Sequence, residues 1–403
     1  MTSRFGKTLR STPFQLLLCL VFASFFGETL PLGWVRGAYT LSLCFIDSIL
    51  FILPLMIFSY MFNALIAVDE KGPILVFSLL AIICASNALA LCVAYGIGSL
   101  VIPHLAVHVS MSDVTSPILP YFRLPLKHSL RSDVVALVAF ILAYSCVKTR
   151  RQFSIAEQLV TVVQKLQSLI SVFLKKAFLP ILPLYVLGFM LKMNAEGTLT
   201  FLYTKYLPIF ALNVTASFCY VLTLYKLVSI GYRPLKTLIF NMLPAGFTGF
   251  STMSGAVTMP VTLDCTEKNV RYPTLARMVI PTGSNMHMLG DDITITLTAL
   301  TLLAVSGSSF PTLVEFLPYI AGFCLAKIAC VGIAGASLLV VLPVLKEHLG
   351  FSSEMVSLIT TLYVLQDPFG TFHNVMGNGA FALVVEKIFI KLGLISSDTA
   401  KKI

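Results

Sequence analysis

Long apolar stretches alternate with short polar or proline-containing segments along most of the sequence. A helix needs roughly 20 mostly apolar residues to cross the hydrocarbon core of a bilayer, and about eight stretches reach that length. In the first half of the chain the stretches are uninterrupted, at about 14–35, 40–67, 73–102, 133–147, 156–190 and 205–228. This pattern predicts an all-α polytopic membrane protein with about eight transmembrane helices.

The apolar stretches of the second half are interrupted by Gly, Ser, Thr, Pro and isolated polar residues. Four segments contain these interruptions: Gly246–Pro260, Pro281–Asp292, Gly332–Ser337 and Gln366–Asn378. Irregular backbone at membrane depth persists only inside protein or beside a water-filled cavity, so it points to a functional site. The first and third segments predict the tips of re-entrant helical hairpins. The second and fourth predict breaks in longer helices, with the helix after the second segment resuming at Ile293.

Composition supports a membrane protein and argues against other classes. The chain is 57% hydrophobic and 11% charged, which is too apolar for a soluble domain. It contains no Gly-x-Ser-x-Gly, His-Glu-x-x-His or Gly-x-x-x-x-Gly-Lys motif, so we expect neither an enzyme nor a cofactor. We therefore expect a multi-pass membrane protein whose partners are the lipid bilayer and a small-molecule substrate.

Charge predicts the orientation of the chain in the membrane. The net charge of +10 comes from Lys and Arg residues scattered between apolar stretches, on one side when alternate spans are counted. That side should be cytoplasmic, with both termini inside, and the scatter argues against nucleic-acid binding. The apolar run Phe14–Phe26 follows basic residues but lacks a convincing cleavage pattern, so we interpret it as a retained first span.

Polar residues in the last apolar stretch form a candidate site. Asp367, Thr371 and Asn374 are spaced to lie on one face of a helix. An ionised carboxylate in the membrane interior costs roughly 3 kcal/mol, so Asp367 is either paired or functional. A single carboxylate suits a substrate ammonium group. The alternatives are a structural partner for a buried group at Asp367 and interhelical hydrogen bonds at Thr371 and Asn374.

Four motifs in order resemble those of the dicarboxylate/amino acid:cation symporter family, the glutamate-transporter-like sodium:dicarboxylate symporters. They are Thr258-Met-Pro-Val-Thr262, Pro281–Asp291, Gly332-Ile-Ala-Gly335 and Asp367–Asn378. The resemblance implies an elevator-type transporter of eight spans and two oppositely oriented hairpins, a homotrimer in the cell inner membrane. It implies mainly scaffold and trimerisation spans, with some transport-domain helices, in residues 1–230, and the transport-domain core in residues 231–403.

The resemblance also assigns the substrate-binding residues. It implies that Asp367 holds the substrate amino group and that Thr371 and Asn374 bind its main carboxylate. Ser254 and Gly255 would close the site from the first hairpin, and Ala336 from the second.

Departures from the family pattern concern the substrate. The family arginine that holds an acidic side chain is Gly370 here, and Met253 occupies the other candidate arginine position. A second carboxylate would lack a bidentate partner, so Gly370 predicts a small neutral amino acid in place of an acidic amino acid or dicarboxylate.

Cation coupling differs from the family pattern as well. Two family carboxylates are Leu289 and Asn378 here, and a hairpin threonine is Ile333, so most side-chain ligands for sodium are lost. The remaining cation-site candidates are Gly283, His287, Asp291, Asn374 and Asn378. Asp291, Asp292, His287 and His373 also allow a proton route, unless these groups are purely structural. The expected function is cation-coupled symport by Na⁺ or H⁺. The alternatives are a sodium-independent carrier, proton-coupled or exchanging, and an ion channel of the same architecture.

Overall fold

A computed structural model describes ten segments of the chain: residues 12–27, 29–68, 73–105, 118–125, 132–149, 154–173, 176–177, 179–197, 206–330 and 335–393. Within these segments the chain forms helices joined by turns and extended linkers, with no β-strand. The prediction of an all-α protein is confirmed.

Seven helices precede residue 230 in the described segments: α1 Thr12–Phe26, α2 Leu32–Val68, α3 Pro73–Val101, α4 Ser132–Thr149, α5 Ser154–Phe173, α6 Leu179–Ala195 and α7 Leu207–Ser229. The stretch predicted at 14–35 is divided, because Pro31 lies just before α2 and proline suits the start of a helix. The stretch predicted at 156–190 is also two helices, of which α5 has polar residues along one face.

Seven helices follow in the second half of the described chain: α8 Leu235–Thr252, α9 Gly255–Glu267, α10 Pro273–Met286, α11 Leu289–Val305, α12 Leu313–Ile328, α13 Ala336–Leu349 and α14 Ser353–Lys391. Helices α8 and α9 pack together as a first helical hairpin, and α12 and α13 as a second. The arms have 13 to 18 residues. At 1.5 Å per residue they are roughly 20–27 Å long, less than the ~30 Å hydrocarbon core.

Both predicted hairpins are present as helix pairs. The first turns at Met253 and Ser254, inside the predicted segment. Residues 331–334 of the second tip, including Gly332 and Ile333, lie outside the described residues. Gly335 and Ala336 begin the second arm of that hairpin.

Two predictions about helix breaks need correction. The chain leaves the helix only at His287 and Met288 and resumes at Leu289, not at Ile293. The reason is that the Asn374 side chain accepts the Asp291 N–H at 3.1 Å and so caps the early turn. The predicted break at Gln366–Asn378 is wrong, because α14 is continuous through this segment. Its polar residues form a face of the helix whose side chains have partners, so no break is needed.

Three stretches of the described chain are long and apolar enough to cross a membrane: Ser78–Leu105, Leu207–Ser229 and Pro273–Val305. In the last stretch, 94% of the most apolar window is buried inside the protein, against 28% in each of the other two. The α10–α11 segment is therefore an internal element, surrounded by other helices.

Two large apolar clusters make up most of the core. The first joins α2 and α6 to the second hairpin and the N-terminal half of α14, and it includes Tyr185 and Tyr363. The second joins α8, α9 and α10 to the C-terminal half of α14, and it includes Tyr225 and Phe381. The middle of α14 therefore lies where the two clusters meet.

Candidate functional site

A small cavity lies beside the middle of α14, where the α10–α11 break and the first hairpin meet it. Its walls are formed by Gly255, Ser284, Met288, Asp291, Tyr363, Asp367, Asn374, Val375 and Asn378. The cavity measures about 20 Å³, which is room for about one water molecule. An amino acid can enter only if the surrounding helices move apart.

Asp367 is the central charged group of this site and is only 3% exposed. One carboxylate oxygen accepts the Gly335 N–H at 2.9 Å, and the other accepts the Thr371 hydroxyl at 3.1 Å. Gly335 immediately precedes α13, and the N-terminus of a helix favours a negative charge. Asp367 thus links α14 to the second hairpin.

Thr371 and Asn374 lie on the same face of α14 as Asp367, as their spacing predicts. Thr371 donates to Asp367, and Asn374 accepts the Asp291 N–H. Both side chains therefore have partners within the protein, and a substrate carboxylate would have to share or replace these contacts.

The first hairpin reaches the cavity through its tip. Ser254 caps α9, where its side chain accepts the Val257 N–H at 3.3 Å, and the next residue, Gly255, lines the cavity. Met253 has a φ of 51°, the only positive φ of a non-glycine residue in the described chain. Its side chain is 1% exposed, so burial of the side chain holds this backbone conformation. Ala336, predicted to act from the second hairpin, is buried next to Gly335.

Gly370 has a specific neighbour. A Cβ atom at this position would lie 2.8 Å from the Asp291 Oδ1 atom. Asp291 therefore fills the space that a side chain at position 370 would need. The same Oδ1 atom is buried and has no hydrogen-bond partner within the described segments.

His287, a cation-site candidate, bridges two helices. Its Nε2 lies 2.9 Å from the Ser86 hydroxyl on α3, and its Nδ1 lies 3.0 Å from the Asn378 Oδ1 on α14. Because the Asn378 oxygen accepts, this network assigns the proton to Nδ1, and Nε2 accepts from Ser86. Both nitrogens of a neutral ring are then satisfied, and the ring stacks on Phe381.

Three of the other cation-site candidates, Gly283, Asn378 and Asn374, have an oxygen that already accepts or faces a hydrogen-bond partner, whereas Asp291 Oδ1 has none in the described segments. The Gly283 carbonyl accepts the His287 N–H at 2.8 Å, and Asn378 Oδ1 faces His287. Asn374 Oδ1 accepts from Asp291. Within the residues that the structure describes, no group of three or more His, Cys, Asp or Glu side chains could hold a metal ion. His373, a candidate for a proton route, packs beside Gly290 on α11.

Sequence reasoning missed Lys327, a fully buried cation on α12. Its Nζ lies 3.3 Å from Asp292 Oδ1 and 3.8 Å from Asp291 Oδ2, and it donates to the Ser337 hydroxyl on α13. A lone lysine inside the apolar stretch of α12 was the available signal, because ionisable residues at membrane depth are costly.

Four cavity residues were also missed: Ser284, Met288, Tyr363 and Val375. Tyr363 could have been found, since it precedes Asp367 by one helical turn on the same face. The others are placed by contacts between helices, which spacing along one helix does not show.

Comparison with known proteins finds relatives and a matching family. Over 155 residues the chain is 30% identical to a protein named Serine/threonine transporter SstT from Acinetobacter baylyi, covering 37% of this chain and 38% of the relative. A protein of the same name from Streptococcus thermophilus is 31% identical over 170 residues, 40% of each chain. These matches thus span about two fifths of the relatives' length. The model of the sodium:dicarboxylate symporter family matches residues 13–388. Because this match covers nearly all of the helices described above, the chain belongs to the sodium:dicarboxylate symporter family.

Proposed function

We propose that the protein is a secondary transporter that carries a small neutral amino acid across the cell inner membrane. The observation that carries this proposal is the position of Asp367, a buried carboxylate on the wall of a cavity between helices. Its partners are one backbone N–H and one hydroxyl, so a substrate ammonium can replace them with a stronger, charge-assisted bond.

The substrate carboxylate is expected at the tips of the hairpins. Helices α9 and α13 both begin beside the site, at Gly255 and Ala336. Their N-terminal N–H groups and dipoles favour an anion. Thr371 and Asn374 add a hydroxyl and an amide on the same side of α14 as Asp367. The ammonium would thus face Asp367, and the main carboxylate would lie between the two hairpin tips.

The charge of the cavity favours a neutral side chain on the substrate. Among its described lining residues there are two carboxylates, Asp291 and Asp367, and no basic side chain. The space beside Gly370 is occupied by Asp291. A second substrate carboxylate would meet negative charge with no guanidinium to bind it. The names of the relatives, serine/threonine transporters, support the same substrate class.

The proposed transport mechanism follows the family resemblance. The short arms of the two hairpins suit re-entrant elements within a fold of eight spans. We propose that residues 231–403 form the core of a moving transport domain. Residues 1–230 would supply mainly the scaffold of a homotrimer, with both termini cytoplasmic. Because most side-chain ligands for sodium in the family pattern are replaced here, at Leu289, Ile333 and Asn378, we propose the sodium-independent form of this carrier over sodium symport.

A ligand screen tests the proposed function. The thermal stability of the purified full chain would be measured against all amino acids and C4 dicarboxylates, with and without sodium, because a ligand of the folded state stabilises it. We expect serine, threonine or alanine to raise the melting temperature. We also expect proteoliposomes that contain the protein to take up the same amino acid. Stabilisation by aspartate, glutamate or dicarboxylates alone contradicts the substrate class. Ion currents without saturable uptake would favour a channel.

A further inference from the structure

Lys327 joins three parts of the molecule at one point. Its side chain leaves the last turn of α12 and reaches the hydroxyl of Ser337 on α13, the other arm of the second hairpin. It also forms ion pairs with Asp291 and Asp292 in the first turn of α11. We call Lys327, Asp291, Asp292 and Ser337 the lysine cluster. The cluster fastens the second hairpin to the helix break that lines the substrate cavity.

The lysine cluster is buried and its charges depend on one another. Lys327 and Asp292 are completely buried, and Asp291 is 2% exposed. Beyond the ion pair to Lys327, neither carboxylate oxygen of Asp292 accepts a hydrogen bond in the described part of the chain. Removing one member of a buried ion pair leaves an uncompensated charge, so the Lys327 ammonium stabilises the two carboxylates in their ionised form and holds them to the hairpin.

The groups around the Lys327 ammonium are those that suit an alkali cation. Two carboxylates and one hydroxyl present hard oxygen atoms, the ligand type that such cations prefer. A lysine ammonium is itself a compact monovalent cation on a flexible stem. The ammonium thus occupies a place in which a free monovalent cation would otherwise be stable.

We propose that Lys327 is a built-in cation, which takes the place of a bound coupling ion between the second hairpin and α11. The proposal deepens the proposed function, because it concerns the cation partner of the same transport site. Since the charge is covalently attached, the hairpin stays fastened to α11 without sodium, and this position draws no energy from a sodium gradient. Removal of the ammonium should create a cation site where none was available before.

The test compares the response of thermal stability to sodium in matched variants of the purified full chain. The melting temperature is measured in sodium chloride and in choline chloride at equal ionic strength. We expect the wild type to show no difference between the two salts. Lys327→Ala leaves two carboxylates beside an opened space, so we expect a lower melting temperature in choline and a rise of about 2 °C or more in sodium.

Two controls separate a new ion site from a general effect of destabilisation. Lys192→Ala on α6 removes another lysine from an ion pair, with Glu196 at 2.9 Å, and should show no sodium response. Adding Asp291→Asn and Asp292→Asn to Lys327→Ala removes both carboxylates and should abolish the response. Where Lys327→Ala alone is not recovered folded, Lys327→Ala with Asp292→Asn keeps the wild-type net charge of the cluster, and we expect it to respond to sodium in the same direction.

Two outcomes overturn the proposal: a sodium-dependent rise in the wild type, or a folded variant without Lys327 that does not respond to sodium. Stabilisation by serine, measured in the same samples, reports separately on the proposed function. If serine does not stabilise the wild type, amino acid transport is contradicted, but the comparison of melting temperatures in sodium and choline can still be interpreted. If serine raises the melting temperature of the wild type only in sodium, the proposed role of Lys327 is contradicted and amino acid transport is not.

Discussion

The two hairpins turn in a similar way but are attached to α14 by different forces. Each has a residue with a positive φ at its tip, Met253 in the first and Gly335 in the second. The first hairpin approaches α14 through glycines: a Cβ at Gly249 would lie 2.9 Å from Val375 Cγ2 and 3.2 Å from the Thr371 carbonyl oxygen. The second hairpin is linked to α14 by a polar contact, the Gly335 N–H on Asp367, and to α11 by the ion pairs of Lys327.

This difference suggests which hairpin moves. Separating a close apolar contact leaves a cavity, and its cost grows with the lost packing. A hydrogen bond between a backbone N–H and a carboxylate can instead be exchanged for bonds to a substrate or to water. We therefore expect the tip of the second hairpin, at Gly335, to release Asp367 for the substrate, while Lys327 stays paired with α11 and the first hairpin stays against α14.

Asp367→Asn should remove most substrate binding. Asparagine keeps the shape of the side chain and can still accept the Gly335 N–H, but it lacks the charge for a substrate ammonium. Losing a buried charge pair costs about 3 kcal/mol, so we expect roughly a hundredfold weaker binding of serine. Serine-dependent thermal shifts measure this change.

Ser254→Ala on the first hairpin is the matched comparison for Asp367→Asn. It removes a cap from α9 without touching charge, so binding should fall by less than about tenfold. If Asp367→Asn and Ser254→Ala weaken serine binding equally, the charge of Asp367 contributes no more than the cap at Ser254. That result would contradict the expected difference between the two hairpins.

Gly249→Ala should show that the first hairpin has no spare room against α14. The added methyl group would meet Val375 and the backbone at Thr371. Overpacking costs about 1–3 kcal/mol, and the better helix propensity of alanine returns at most ~1 kcal/mol, so we expect a net loss of about 1–2 kcal/mol in stability. Thermal unfolding of the purified protein measures it.

Gly322→Ala is the control on the second hairpin. There a Cβ would face the ends of the Val344 and His348 side chains, which belong to the other arm of the same hairpin and not to α14. None of these nearest atoms belongs to the backbone, unlike the Thr371 oxygen beside Gly249, so the neighbours can shift more easily and the loss of stability should be below about 1 kcal/mol. An equal loss in both variants would contradict a specifically tight first hairpin.

Gly370→Arg should convert the substrate class only when Asp291 is also changed. Alone, the new guanidinium would pair with the Asp291 carboxylate, which lies where the side chain at position 370 begins. We expect Gly370→Arg with Asp291→Ala, which removes both the charge and the atoms in this space, to gain binding of aspartate by about tenfold relative to the wild type. Competition between aspartate and serine measures the change, with Gly370→Gln and Asp291→Ala as the neutral control. A gain of aspartate binding by Gly370→Arg alone would contradict the pairing with Asp291.

The sequence was sufficient for the parts of the site that lie on one element. The face formed by Asp367, Thr371 and Asn374 follows from helical spacing, and the structure confirms it. The hairpins followed from small polar tips between arms too short to cross a membrane. In both cases the information is local, so a periodicity or a length is enough.

The parts that could not be predicted depend on contacts between distant segments. Polar residues within an apolar stretch are compatible with a broken helix and with a polar face of a continuous helix. Only the hydrogen-bond partners of those residues distinguish the two structures. Asn374 caps α11 and lies in an unbroken α14. The predicted break at Gln366–Asn378 is therefore absent, and the helix after the break at His287 and Met288 resumes earlier than predicted, at Leu289. Lys327 was missed because its role depends on ion pairs with Asp291 and Asp292, which are distant in sequence.

The smallest expected effect concerns the far ends of the hairpins. Helix α12 begins with a capping box, in which Thr312 and Glu315 exchange hydrogen bonds, whereas α8 begins after Pro234 without a side-chain cap. Thr312→Ala should therefore lower stability by about 1 kcal/mol, and Pro234→Ala should remove no cap. Neither change should alter serine binding or the response to sodium, because the contacts that hold Asp367 and Lys327 lie at the tip of the second hairpin, at the opposite end of α12. Titration with serine measures the affinity of Thr312→Ala. A drop of more than about threefold would mean that the base of the second hairpin affects substrate binding at its tip. The polar contacts at the tip would then not be sufficient to position the hairpin for the substrate.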